Sequence, residues 1–86
     1  MKKNYCITYD LNKPGQDYED LIKAIKSYDY IKVMKSTWFV KSTSSASQIK
    51  ENLRKYMDDN DLLFVCEINS NYSGWLRKDV WEWLKN

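Results

Sequence analysis

The chain has 86 residues, with 14 Lys and Arg against 12 Asp and Glu and no His. That length admits one domain, spanning 1–86, which buries roughly 60 to 65% of the surface its unfolded chain exposes. A formal charge of +2 is far from the strongly basic balance of a dedicated nucleic-acid binder, and without His the commonest general base, the commonest zinc ligand and every Ser-His or Cys-His nucleophile are excluded.

Residues 5 to 11 alternate, with Tyr5, Ile7, Tyr9 and Leu11 on one side and Cys6, Thr8 and Asp10 on the other, which predicts a strand with one strongly apolar face. Pro14-Gly15 breaks the chain, and Asp17 is placed to cap a helix in which Tyr18, Leu21, Ile22 and Ile25 follow helical spacing, ending near Tyr28. Residues 31 to 42, "IKVMKSTWFVKS", have strand composition with a polar interruption at Lys35-Ser36-Thr37, so one long bent strand and a tight hairpin both fit. Ser45 and Gln48 make a capping box ahead of Ile49, Leu53, Tyr56 and Met57, predicting a second amphipathic helix.

"DDND", Asp58 to Asp61, lacks the ligand spacing of a calcium loop and reads as a solvated turn. "LLFVCEI" is apolar on both faces apart from Glu67, which predicts a central strand. In residues 69 to 86, a loop precedes a short helix whose Leu76, Val80, Trp83 and Leu84 share a stripe while Trp75 and Trp81 lie off it. So short a helix must dock. Strand, helix, one or two strands, helix and strand is the split βαβ order called ferredoxin-like, an α+β fold with a core in 1–68 and a docking segment in 69–86.

Both helices of such a fold cover one sheet face, leaving the other to be covered by a second copy of the chain or by the C-terminal segment. Seven Tyr, four Trp and two Phe exceed what a small core needs, and point the same way. Cys6 and Cys66 fall on neighbouring strands, where they could approach each other, and read as buried, reduced thiols with a packing role. No stretch is apolar enough for a signal sequence or a membrane span, so a cytoplasmic location is expected.

The run Tyr9-Asp10-Leu11, Pro14-Gly15, Asp17-Tyr18 with Leu21, Ser36-Thr37-Trp38-Phe39-Val40-Lys41 and Asp61-Leu62-Leu63-Phe64-Val65 resembles the SinR family of small bacterial and phage proteins, distinct from the helix-turn-helix repressor of that name. It is more distantly similar to the small dimeric subunit of the CRISPR spacer-integration complex and to VapD-type ribonucleases. The resemblance implies a homodimer with sheets packed face to face, and makes Asp10 a candidate metal ligand and catalytic residue of a phosphodiesterase. Mg²⁺, a hard ion that takes carboxylate oxygens and keeps several waters, is the cofactor such chemistry would use; without it no cofactor is expected. The alternative is that Asp10 binds loop amides or the adjacent helix N-terminus and orders the Pro-Gly turn.

Lys35, Trp38 and Lys41 interleave rings with charge as a nucleic-acid surface does, and Lys13, Trp75, Arg77 and Lys78 are further candidates for contact with RNA, DNA or a partner protein. Trp81, Trp83 and Lys85 extend that cluster. Packing between helices and a dimer partner explains the same rings. Near-neutral charge, excess tryptophan and few catalytic side chains also fit a protein-interaction module, for example one made by a mobile element to inhibit or scaffold a host defence complex.

Overall fold

A computed structural model describes residues 1–13 and 18–86. Among the described residues, four strands and three helices follow one another as β1 (Lys3–Asp10), α1 (Glu19–Lys26), β2 (Asp29–Met34), β3 (Thr37–Ser42), α2 (Ala46–Arg54), β4 (Leu62–Ile68) and α3 (Lys78–Lys85). The strands form one antiparallel sheet in the order β2-β3-β1-β4. The result is an α+β domain with a four-stranded antiparallel sheet.

The alternation in β1 is the organising feature. Tyr5, Ile7 and Tyr9 point to one face, which α1 and α2 cover with Leu21, Ile25, Ile49 and Leu53, each pair one helical turn apart. Trp38 and Val40 join them from β3, opposite Ile7 and Tyr5 in register. The α2 start is fixed by the expected capping box: Ser45 Oγ accepts from the Gln48 amide at 3.1 Å, and Gln48 Oε1 accepts from the Ser45 amide at 2.8 Å. Two otherwise orphaned donors are satisfied there, worth about 1 kcal/mol. Helix α1 begins after Tyr18, with Glu19 and Asp20 in its first turn, where the helix dipole favours acids. The predicted Asp17 cap and Pro14-Gly15 break lie outside the described residues.

Two open questions of the sequence are settled here. Residues 29 to 42 form a hairpin, not one bent strand, turning at Lys35-Ser36 with a register irregularity between Lys32 and Met34. The C-terminal segment docks on its own sheet, with α3 against β2. One expectation is overturned: β4 is not central but an edge strand, paired among the described residues only with β1. Its double-sided apolarity does not mark burial on both sides, because Leu62 and Phe64 on its second face are 66% and 63% exposed.

"DDND" also departs from a solvated turn. Asp61 is only 6% exposed. Its Oδ1 accepts from the Asn12 amide at 2.7 Å and the Tyr18 hydroxyl at 3.1 Å, and its Oδ2 from the Asp58 amide at 2.8 Å. This one carboxylate ties the chain leaving β1 to the turn entering β4. Burial alone would raise its pKa, but those hydrogen bonds, with Arg54 nearby, hold it below the ordinary carboxylate value.

Candidate functional site

The sheet's second face carries Asn4, Cys6, Thr8 and Asp10 from β1, with Phe39 and Lys41 beside them on β3 and Leu62, Phe64, Cys66 and Ile68 on β4. Half of it is closed by the C-terminal segment. Trp83 packs on Phe39, ring centroids 6.4 Å apart. Lys41 Nζ donates to the Trp83 carbonyl at 2.9 Å and to Asn4 Oδ1 at 3.2 Å, 3.9 Å from the Trp83 ring centroid, while Asn4 Nδ2 reaches the Leu84 carbonyl at 3.4 Å. A lysine on the last carbonyls of a helix satisfies acceptors the helix cannot. Burial lowers the Lys41 pKa, partly offset by Asp29, with Lys2 adding to the lowering.

At the other end of α3, Arg77 donates to the carbonyls of Lys32 at 2.6 Å and Val33 at 3.1 Å, clasping β2 near its bulge. Trp81 donates to the Leu76 carbonyl at 3.2 Å and stacks on Tyr72 at 6.2 Å.

The remaining half of the face is open. There Thr8, Tyr9, Asp10, Leu62, Leu63 and Phe64 line a shallow depression of about 230 Å³. Thr8 is held to Thr37 by a 3.2 Å hydroxyl contact. Asp10 lies at its rim, opposite Leu62 in register and exposed, its carboxylate making no hydrogen bond or ion pair among the described residues. Asp61 accepts from Asn12 and Tyr18 on either side of the first connection, whereas the Pro14-Gly15 turn that Asp10 is expected to order in its alternative role lies outside the described residues.

The other sequence candidates differ in what the fold leaves free. Trp38 is 2% exposed, its indole N–H donating to the Tyr9 hydroxyl at 3.0 Å and its ring facing Tyr30 and Lys32, so stacking on a base is not open to it. Lys41 and Arg77 are spent on fastening α3. Lys13 pairs with Asp58 at 3.2 Å. Lys35 lies exposed in the β2–β3 turn, Lys78 opens α3, and Trp75 stands 101% exposed in the loop before it. Of the seven basic and aromatic candidates, Lys35 and Arg77 line one shallow depression at the β2–β3 turn, with Trp75 and Lys78 flanking Arg77 in the chain, while Trp38 is buried and Lys13 and Lys41 are engaged elsewhere.

The residues do not fit a divalent-cation site in a single chain: among the described residues no three Asp, Glu, His or Cys side chains are grouped to hold a metal ion, and Asp10 is a lone carboxylate. Sequence reasoning missed Leu62, Phe64 and Asp61. The signal for the first two was available, since an order with β1 between β3 and β4 leaves β4 at the edge.

No protein-family model and no curated protein matches the sequence. Among solved structures, the chain is similar to a hypothetical protein, TT1823 from Thermus thermophilus, with a TM-score of 0.67 and 18% identity over 90% of this chain and 96% of that one. At that identity the likeness shows a shared fold.

Proposed function

We propose that this chain is a ferredoxin-like homodimer whose two sheets meet over the open half of the second face, and that it acts by binding another macromolecule rather than by turning one over. The observation that carries the reading is the pair of large apolar side chains, Leu62 and Phe64, exposed on an unpaired edge strand. Exposed apolar edges are an aggregation liability that proteins normally blunt with charge, proline or a cover, and here the strand carries none of these at its first half. A second copy covers them. Trp75, free of the fold's own packing, and the exposed cations Lys35 and Lys78 remain for a protein partner.

Engineered cross-linking tests the arrangement. In a background with both native cysteines replaced by Ser, Asp10→Cys joins two copies through a disulfide on mild oxidation, whereas Lys50→Cys on α2, on the far side of the sheet, does not. Equal cross-linking at the two positions, or none at either, contradicts the reading.

A second reading, nucleic-acid cleavage, is favoured by one observation: Asp10 is an exposed carboxylate with no structural duty among the described residues, and in the proposed dimer two copies of it approach each other. Labelled RNA and DNA incubated with Mg²⁺ or Mn²⁺ decide it. Cleavage by the wild type that disappears in a folded Asp10→Asn variant supports this reading, and intact substrate with both proteins removes it.

A further inference from the structure

Cys6 and Cys66 are direct cross-strand partners in the β1–β4 register, both free and both half-buried on the second face. Opposed residues on antiparallel strands have Cα atoms about 4.5 to 5.5 Å apart, inside the span of about 4.4 to 6.8 Å that a disulfide needs. Their Cβ atoms sit about 4.5 to 5.5 Å apart in such pairs, whereas a relaxed disulfide wants about 3.5 to 4.5 Å. The two ranges meet at about 4.5 Å, so the bond is within reach, and at a half-exposed position it is of the reducible kind. Beside Cys6, under the C-terminal segment, lies an apolar cavity of about 170 Å³ lined by Phe39, Ile68, Tyr72, Leu76, Trp81 and Leu84 among others. That space gives the sulfur room to change rotamer.

The geometry points to Cys6 and Cys66 as a reversible redox pair that closes into a cross-strand disulfide by exchange with a small-molecule disulfide such as oxidised glutathione. One cysteine, as its thiolate, attacks a sulfur of the oxidant, forming a mixed disulfide and releasing one glutathione thiolate. The second cysteine loses its proton and attacks the mixed disulfide, forming the Cys6–Cys66 bond and releasing the second glutathione. Two protein thiols are oxidised, one oxidised glutathione is reduced to two thiols, and the two protons pass to the leaving thiolates. Burial, and then the Cys66 thiol beside it, push the Cys6 thiol up to about 11, so exchange quickens as the pH is raised towards that value. The closed bond ties edge strand β4 to β1, and this inference stands whether or not the chain dimerises.

The test incubates the full, native chain with a series of oxidised-to-reduced glutathione ratios, quenches with acid, and measures free thiols, intact mass and the linked peptides. The expected result is simultaneous loss of both thiols, a mass lower by two hydrogens, a Cys6–Cys66 cross-link within one chain, and a melting temperature that rises on oxidation and returns on reduction. The Cys66→Ser chain shows no such rise. Thiols that stay free in the native chain at ratios that oxidise the urea-unfolded chain overturn the inference, as do products that are only glutathione adducts or links between chains.

Discussion

The two faces of the sheet are built from the same strands but closed by different means. On the first face, α1 and α2 present Leu21, Ile25, Ile49 and Leu53 to Tyr5, Ile7, Trp38 and Val40, and every one of these is buried. On the second, an eight-residue helix and a loop cover half the area, held by polar clasps at both ends: Lys41 and Asn4 on the last carbonyls of α3, and Arg77 on β2. The uncovered half keeps Leu62 and Phe64 in solvent. Apolar area drives the first closure without direction, whereas the second depends on a few directed contacts and leaves a surface for something else.

That contrast predicts a ranking of mutational effects. Leu53→Ala, in the helix-covered core, should cost about 2 to 5 kcal/mol in urea unfolding. Trp83→Ala removes a half-buried ring whose partner is Phe39 and should cost about 2 kcal/mol; amide exchange in residues 69 to 86 should speed up while α1 and α2 stay protected. Equal loss of protection throughout would show the two faces to be one cooperative unit.

Asp61→Asn tests the clasp between β1 and β4. Because the Asp61 carboxyl lies lower in the folded chain than in the unfolded one, its contribution is complete above the unfolded carboxylate value and is lost as pH falls through the folded one. The variant should therefore be less stable than the wild type at pH 7, the gap closing as urea melts are taken into acid, and Asp59→Asn, at the solvated end of the same run, should leave the curve unchanged. A gap constant with pH would contradict the assignment. Phe64→Glu should have the smallest effect on the chain's own stability, within about 0.5 kcal/mol, and yet abolish its self-association.

Much of this was legible in the residues. Period-2 alternation placed the first strand, the Ser45–Gln48 box fixed the start of the second amphipathic helix, and the C-terminal stripe of Val80 and Leu84 found its buried side. The misreadings share a physical origin. "LLFVCEI" looked central because composition reports that a face is apolar and not what covers it, and Leu62 and Phe64 are apolar in solvent. Asp61 looked solvated because a carboxylate among carboxylates gives no hint that three donors converge on it from Asn12, Tyr18 and Asp58. Trp38, Lys41 and Arg77 suggested a binding surface, and tertiary packing turned Trp38 inward, Lys41 onto α3 and Arg77 onto β2. Local pattern cannot separate a cation that clasps a carbonyl from one that waits for a phosphate.

The claim that the open half of the second face is a self-association surface is tested most directly by sedimentation equilibrium of the wild-type chain over a wide concentration range, beside Phe64→Glu. The account predicts twice the chain mass for the wild type, and the single-chain mass for a Phe64→Glu protein that melts at the same temperature as the dissociated wild type. A wild-type chain that stays at the single-chain mass at the highest concentrations, or a Phe64→Glu chain that still pairs, would contradict it.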